Sequence, residues 1–590
     1  MKPVTRHQAS ALLALILLVT FGIHAPSLAN TFAMDDRFLA KAVHDNGRPN
    51  PMVSELQSPG RYFTSHYWEG AAAPDIQYRP VTILSYALVY HTVGKHGTGE
   101  SGEALPQHLV NVGLHLMAVW LVYRLLRRLV KHRGPPLLAA LVFGVHAIHS
   151  EAVAGIVGRA DLFAFCFGAA AVVLHGRARE AAGRSRGLHL ISAGILLFLA
   201  FGSKENALAW PVFMAVFETA RILIKQPATR IASALAAPLP TVGLVSLLPA
   251  AILVALWRWA VAGLAIPPVS PLANPLVDLP APDRVFTAVQ VWFHGLTRTL
   301  VPVDLACDHG AHVFQTITSA LDLRFLAAAT CLAAVGAGGL LAIRRHPLLF
   351  LAGTTFLGFS LVTANLLLLI GTLFGERLYY IPSLGLSFLV AWLATRRVVR
   401  WAGLAALLPW LCISGVNTFE RCSVWKDDET LFLHDVKVRP ESARLQYLAA
   451  KVHERRGEIR RMAAHLHRAL EIHEDYALAW NDVGVLHARD GNLEKAESCF
   501  RRGLGCRDAS DSDRFQLHTN LGVLLAQTRR PAEARKHLLL GLQRDPEAMR
   551  DRLRDLMAPL GRLLGDETIR RLQEEGKRQL PGDPARSRAK

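Results

Sequence analysis

Long apolar runs separated by short basic loops fill residues 1–420, whereas the remainder alternates apolar and polar positions at helical spacing. An apolar run of about 20 residues is what an α-helix needs to cross a bilayer. Eleven candidate spans follow, near 9–27, 107–127, 136–151, 162–175, 188–203, 207–223, 239–262, 323–343, 347–370, 376–395 and 401–418. The pattern predicts an all-α chain, with a polytopic membrane domain of about 11 spans followed by soluble helices.

Basic residues recur in alternate loops of the membrane domain. They lie at Lys2/Arg6, Arg124–Arg133, Arg177–Arg186, Arg221–Arg230, Arg344/Arg345 and Arg396–Arg400. Because short cytoplasmic loops are enriched in Lys and Arg, these loops are predicted to be cytoplasmic. The alternation holds if residues 285–302 form an interfacial helix and not a span. The N-terminus is then inside and the C-terminal part outside. The first apolar run also resembles a signal peptide ending near Ala29, but the many later spans favour an uncleaved helix.

Composition narrows the class of partner. The 590 residues carry a net charge of +18, with 51% hydrophobic and 19% charged residues. Since much of the basic charge lies in membrane loops, it does not indicate a nucleic-acid partner. The seven cysteines lack metal-ligand spacing, so neither a disulfide framework nor a zinc site is predicted.

Polar clusters on the predicted outer side are the candidate functional residues. Ionisable groups at the ends of spans are costly and therefore point to function. Their alternative explanations stay open: two solvated acids in the first outer loop, and structural ion pairs at the third and fifth clusters. The clusters are Asp35 and Asp36; His146, His149, Glu151, Arg159 and Asp161; Lys204 and Glu205; Asp304 and Asp308; and Glu376 and Arg377.

A repeat is predicted between residues 443 and 548. Trp480, Gly484, Ala496 and Phe500 match positions of the 34-residue tetratricopeptide repeat (TPR), in which small residues allow two helices to approach closely. Leu521-Gly522, Ala534, Leu538 and Pro546 repeat the pattern after a four-residue insertion in 508–513, and Tyr447, Ala450, Leu466 and Ala469 form a weaker copy. About three repeats are expected to stack as an α-solenoid with a concave binding face. Residues 421–442 are predicted to be a linker helix, and 549–590 capping helices with a disordered basic tail.

Six segments in order resemble one known family. The segments are 78–90 (YRPVTILSYALVY), 108–116, the run AALVFGVHAIHSEAVAGIVGRADLFA, GSKEN at 202–206, 375–391 (GERLYYIPSLGLSFLVA) and 425–447 (WKDDETLFLHDVKVRPESARLQY). Together they are similar to the transmembrane-and-tetratricopeptide (TMTC) O-mannosyltransferases. The resemblance implies a GT-C glycosyltransferase fold and a polyprenyl-phosphate sugar donor. It also implies that the sugar, mannose by analogy with the family, is transferred to protein Ser/Thr hydroxyls outside the cytoplasm. The repeat array here is short, and His487 replaces a family tyrosine.

The resemblance also assigns roles to residues. The family's acidic pair maps onto Asp35 and Asp36, of which one would accept the proton of the acceptor hydroxyl; we rank Asp36 slightly ahead. Arg79, Arg159, Lys204 and Arg377 are candidate partners of the donor phosphate. His146, His149, Glu151, Asp161, Glu205 and Glu376 complete the predicted donor-binding set. The pair His146 and His149, three residues apart, would also suit a metal ion, but no metal or other cofactor is expected, since a lipid monophosphate donor does not require one.

Two other functions remain open from the sequence: a ligase or polymerase of glycans that uses a lipid-diphosphate donor, and a non-catalytic membrane scaffold in which the repeats bind partners. Arg- and Ala-rich usage and the short repeat array favour a bacterial inner membrane over the endoplasmic reticulum. The sequence identifies neither the sugar nor the acceptor protein bound by the repeats, nor the oligomeric state.

Overall fold

The computed structural model describes residues 4–71, 76–262, 269–396 and 400–544. Over these ranges the regular elements are helices, with one isolated bridge between Val43 and Pro49, so the predicted all-α class is confirmed. The chain forms two compact units. Unit 1 comprises Met1–Val269, Leu276–His309 and Phe314–Val438; unit 2 comprises Ser270–Pro275, Gly310–Val313 and Arg439–Lys590.

Unit 1 contains eighteen α-helices in the described ranges. They are α1 Arg6–His24, α2 Asp36–Leu39, α3 Pro59–Phe63, α4 Pro80–Thr92, α5 Gly99–Arg127, α6 Gly134–Gly144, α7 Ser150–Ala154, α8 Arg159–Ala178, α9 Gly183–Phe201, α10 Trp210–Lys225, α11 Ile231–Ala236, α12 Leu239–Ala260, α13 Ala281–Leu300, α14 Leu323–Ala342, α15 Pro347–Ser360, α16 Leu384–Ala394, α17 Arg400–Val424 and α18 Asp428–Val438. Short 3-10 turns join several of them, among them Ala147–His149, Ile156–Gly158, Glu205–Ala209 and Glu376–Tyr379.

Fewer helices qualify as membrane spans than the eleven that the apolar runs predict. Within the described ranges seven helices are long and apolar enough, or eight if the bent pair α6 and α7 counts as one span. This makes the protein a multi-pass membrane protein. The predicted spans near 347–370 and 376–395 are represented by the shorter apolar helices α15 and α16. Helix α13, predicted to be interfacial, is not among the seven.

The segment between α15 and α16 is irregular because a side chain replaces the helical hydrogen bonds. Asn365 adopts a left-handed backbone conformation with φ of 59°. Its side-chain amide donates to the carbonyls of Thr372 and Leu373, and its oxygen accepts from the amide of Ile370. The apolar run near 347–370 therefore indicated an apolar segment correctly, but it did not show that the helix ends within that segment.

Unit 2 contains three consecutive helix pairs. They are α19 Ala443–Arg455 with α20 Ile459–Ile472, α21 Ala477–Arg489 with α22 Leu493–Gly505, and α23 Asp511–Gln527 with α24 Pro531–Arg544. Gly484 permits close approach, because a Cβ there would lie 2.6 Å from the Phe500 ring. A Cβ at Gly522 would likewise lie 2.8 Å from Leu538. These contacts give the physical reason for the small residues in the predicted repeat.

The structure differs from the predicted domain organisation in two details. The four-residue insertion lengthens a helix and not a loop, since α23 has 17 residues where α19 and α21 have 13. Residues 421–438 of the predicted linker belong to unit 1, because α17 continues to Val424 and α18 packs within that unit. The predicted capping helices and tail at 549–590 lie outside the described residues.

Candidate active site

The first outer loop places its two carboxylates in different environments. Asp36 begins α2 and is fully buried. Its two oxygens accept separate backbone N–H groups, from Ile156 at 3.0 Å and from Val157 at 2.8 Å. Asp35 is half-buried, and within the described ranges no hydrogen bond or ion pair engages its carboxylate. Asp36 thus holds the turn before α8, whereas Asp35 keeps its oxygens available.

Burial dominates the ionisation of Asp36. Loss of hydration raises the pKa of its carboxyl from 3.8 to about 7, although the N–H groups of Ile156 and Val157 act in the opposite direction. The charge of Asp35 adds to the rise. A carboxylate is expensive to bury unless hydrogen bonds replace its water, and two backbone donors replace it only in part.

Three ion pairs surround this loop, and together with Asp35 their members form what we call the polar cluster. The pairs are Lys204 Nζ with Asp161 Oδ2 at 2.5 Å, Arg79 Nη2 with Glu205 Oε2 at 3.0 Å, and Arg377 Nη1 with Glu151 Oε1 at 3.4 Å. The first pair is buried, with side chains 7% and 1% exposed. Arg377 is the most open of the three cations, at 32%. Sequence positions up to 342 residues apart therefore meet in one place.

Electrostatic contacts connect the three pairs with one another and with the first outer loop. Arg377 interacts with Asp35, with Asp161 and with Arg79. Arg79 also interacts with Asp161, and its guanidinium lies 4.7 Å from the ring centre of Tyr67. The cluster therefore has a buried part, the Lys204–Asp161 pair, and a more open part, Arg377, which interacts with the half-buried Asp35.

Both predicted histidines are buried and already bonded, outside the polar cluster. His146 Nε2 lies 2.8 Å from the carbonyl of Thr299, and its Nδ1 accepts the amide of Ile148. His149 Nε2 lies 2.8 Å from Ser383 Oγ. With 1% and 0% exposure, these rings belong to the packed interior, and contact with a sugar would require the surrounding helices to move.

Arg159, one of the predicted phosphate-binding cations, is buried and donates hydrogen bonds to three other residues. It is fully buried, and its guanidinium donates to Asn111 Oδ1 at 2.9 Å, to the carbonyl of Gln107 at 2.8 Å and to Ser85 Oγ at 3.3 Å. The ring of Tyr86 lies 4.9 Å away. Arginine with this many partners connects α4, α5 and α8, which leaves little of its donor capacity for a phosphate.

The Glu376 carboxylate is buried and binds the backbone of another loop. It is 1% exposed, and its Oε1 accepts the amide of Ala306 at 2.6 Å, with His309 Nε2 at 3.5 Å. The residue therefore anchors the loop after α13, while the neighbouring Arg377 points to the polar cluster. Of the adjacent pair predicted from the sequence, one residue positions a loop and the other contributes charge to the site.

Sequence reasoning did not single out Tyr67, which stacks against Arg79. An aromatic residue in a long outer loop has no spacing that would distinguish it. For metals, no group of three or more His, Cys, Asp or Glu side chains in the described ranges is arranged to hold an ion. That no metal is needed remains a prediction.

Comparisons with known proteins follow the motifs. No family model matches the chain. It is 24% identical to human "Protein O-mannosyl-transferase TMTC3" over 90% of this chain and 64% of that protein. It is 27% identical to human "Protein O-mannosyl-transferase TMTC1", over 81% of this chain and 56% of that protein. It is 25% identical to a Caenorhabditis elegans protein O-mannosyl-transferase, over 76% and 61%. The chain thus spans less than two thirds of the length of these relatives.

Among solved structures, the chain matches the Archaeoglobus fulgidus oligosaccharyltransferase tethered with an acceptor peptide. It covers 71% of this chain and 55% of its own, at 12% identity and a TM-score of 0.37. A TM-score of this size does not identify a shared fold, so the GT-C fold itself stays a prediction. The resemblance drawn from the six motifs is confirmed at the level of sequence, because the chain is similar along most of its length to curated TMTC-type protein O-mannosyl-transferases.

Proposed function

We propose that this protein transfers a sugar, mannose by analogy with its relatives, from a polyprenyl-phosphate donor to Ser/Thr hydroxyls of proteins. The observation that supports this best is the half-buried Asp35 carboxylate, which no hydrogen bond or ion pair engages within the described ranges and which interacts electrostatically with Arg377 at longer range than an ion pair. Attack of an alcohol on a phosphorylated sugar requires a base for the hydroxyl proton and a cation for the departing phosphate.

The reaction assigns a role to each open member of the polar cluster. Asp35 accepts the proton of the acceptor hydroxyl while the hydroxyl oxygen of the acceptor forms a bond to the anomeric carbon. The bond from that carbon to the phosphate oxygen breaks, and the electron pair leaves with the phosphate. Arg377 and Arg79 stabilise the departing phosphate, since guanidinium groups can bind two phosphate oxygens at once. Lys204 pairs with the buried carboxylate of Asp161 and is not proposed to contact the phosphate.

Asp35 replaces Asp36 as the preferred base. Both oxygens of Asp36 already accept backbone N–H groups, and the residue has no exposed surface. A base must reach the proton that it removes, within hydrogen-bond distance. Asp36 instead fixes the loop that presents Asp35, so replacement of either residue should lower transfer for different reasons.

Unit 2 is proposed to bind the acceptor polypeptide, and Asp35 and unit 2 are proposed to share the outer side of the membrane. A maleimide that cannot cross membranes should label cysteine at the exposed positions Glu55 and Pro440 in intact cells, in a chain without its native cysteines. Labelling of Pro440→Cys only after permeabilisation would place unit 2 on the other side. The predicted bacterial membrane gains no support from the relatives named above, which are animal proteins.

The decisive experiment measures transfer of mannose from synthetic polyprenyl-phosphate mannose to acceptor peptides. Asp35→Asn removes the proposed base at nearly constant size and should lower kcat roughly 10²–10⁴-fold. Glu55→Gln is the matched control, because Glu55 is an exposed acid of the same loop. Full transfer by Asp35→Asn would show that Asp35 is not the base and would favour the alternative of a non-catalytic scaffold. Activity only with lipid-diphosphate sugars would favour the ligase.

A further inference from the structure

We infer that Asp428 is a positioning residue for Asp35. This inference rests on the proposed function, because it concerns the geometry of the proposed base. Asp428 lies 393 residues after Asp35 in the chain, at the start of α18, and is 9% exposed. It belongs to the segment WKDDET, which the proposed chemistry otherwise leaves without a role.

The Asp428 carboxylate binds the first outer loop on both sides of the acidic pair. Its Oδ1 accepts the backbone N–H of Met34 at 2.8 Å, and its Oδ2 lies 3.3 Å from Arg37 Nε. Met34 immediately precedes Asp35, and Arg37 immediately follows Asp36. One side chain therefore fixes the ends of the four-residue segment that contains the base.

The bond to Met34 acts on a strained residue. Met34 adopts a left-handed backbone conformation with φ of 50°, which is unfavourable for a residue with a Cβ and costs glycine nothing. The loop keeps this conformation because surrounding contacts enforce it. Asp428 supplies a side-chain acceptor for the N–H of Met34, which is joined directly to Asp35.

Other bonds connect the same two segments without help from Asp428. The backbone N–H of Thr31 donates to the carbonyl of Lys426 at 2.8 Å, and Asn30 Nδ2 donates to the carbonyl of Cys422 at 3.0 Å. The loop should therefore remain attached when the Asp428 side chain is removed. What is lost is the local geometry at Met34 and Asp35.

A second carboxylate of helix α18, that of Asp435, also binds the backbone of a distant loop, the one after α13. Asp435 Oδ2 accepts the backbone N–H of Cys307 at 2.7 Å, while Arg421 holds both of its oxygens at 2.5 and 2.8 Å. Burial raises the pKa of Asp435, but Arg421 and His434 outweigh it and hold that pKa well below its usual range. The helix thus presents two carboxylates, about two helical turns apart, each to the backbone of a different loop.

The test compares steady-state transfer by Asp428→Ala and Asp428→Asn with the wild-type chain. Asp428→Ala should lower kcat by about 10²-fold, the usual effect of displacing a reacting group by 1 Å. The KM for the lipid donor should stay unchanged, since Arg377 and Arg79 are untouched. Asp428→Asn retains an oxygen for the Met34 N–H and should lose less. Asp427→Asn is the control, because the neighbouring Asp427 caps α18 by accepting the amide of Thr430.

A second substitution separates positioning from general loss of stability. Met34→Gly relieves the left-handed strain and should restore about tenfold of the activity that Asp428→Ala loses. Absence of this rescue would show that Asp428 acts only on overall stability. Wild-type kcat in Asp428→Ala, with Asp35→Asn inactive, would overturn the positioning role and leave the proposed base intact. An active Asp35→Asn would overturn both.

Discussion

Replacement of Lys204 by methionine should destabilise the membrane domain. The ammonium of Lys204 is the hydrogen-bonded partner of the Asp161 carboxylate, at 2.5 Å, and both side chains are buried. The other oxygen of Asp161, Oδ1, is buried and accepts no hydrogen bond from the residues that the structure describes. Lys204→Met retains the length of the side chain but leaves a buried carboxylate with no direct counter-charge.

The expected loss follows from that geometry. Removal of one partner of a buried ion pair costs about 3–5 kcal/mol, because the other charge stays buried and uncompensated. Arg79 and Arg377 interact with Asp161 at longer range and offset part of this cost. We therefore expect the free energy of unfolding to fall by about 3 kcal/mol, the lower end of that range.

The assay is unfolding in a fixed detergent at constant pH, followed by tryptophan fluorescence. Lys204→Met/Asp161→Asn should recover part of the loss, since contacting residues couple by about 0.5–3 kcal/mol. Lys95→Met, at an exposed loop lysine, is the control and should change stability by less than about 0.5 kcal/mol. If Lys204→Met were as stable as the control, or the double variant no better than the single one, the buried pair would not be what supports the site.

Three further outcomes are expected. Arg377→Ala should raise the KM for the lipid donor about 10–100-fold, because a charge-assisted bond to phosphate is lost, and Arg377→Lys should lose less; an unchanged KM in both would move the phosphate elsewhere. Asp36, whose pKa burial raises from 3.8 to about 7, binds its proton more tightly when folded, so its contribution to stability is complete below pH 4 and is lost as the pH rises through 7. The difference in unfolding free energy between wild type and Asp36→Asn should therefore change across pH 4–7, and a constant difference would contradict the buried carboxyl. Gly484→Ala should lower the stability of unit 2 by about 1–3 kcal/mol through contact with Phe500, unlike Gly505→Ala, where a Cβ meets no atom within 4 Å; equal effects would contradict the close helix approach.

The sequence by itself determined the class of protein. Apolar runs and helical periodicity depend only on local composition, so the all-α class and the membrane location could be read directly. The helix-pair repeat was readable for the same reason, because Gly484 and Gly522 recur at fixed offsets from Phe500 and Leu538. The number of spans was less accessible, since an apolar run does not show where Asn365 interrupts the helical bonds.

Only the tertiary structure decided which charged residues remain open. Asp35 and Asp36 are identical in type and adjacent in sequence, yet one is buried against two N–H groups of a turn 120 residues away. Arg159 and Arg377 likewise differ only in their neighbours, which bind one on all sides and leave the other partly exposed. Solvation and hydrogen-bond partners set the reactivity of a charged group, and both are supplied by segments distant in the chain.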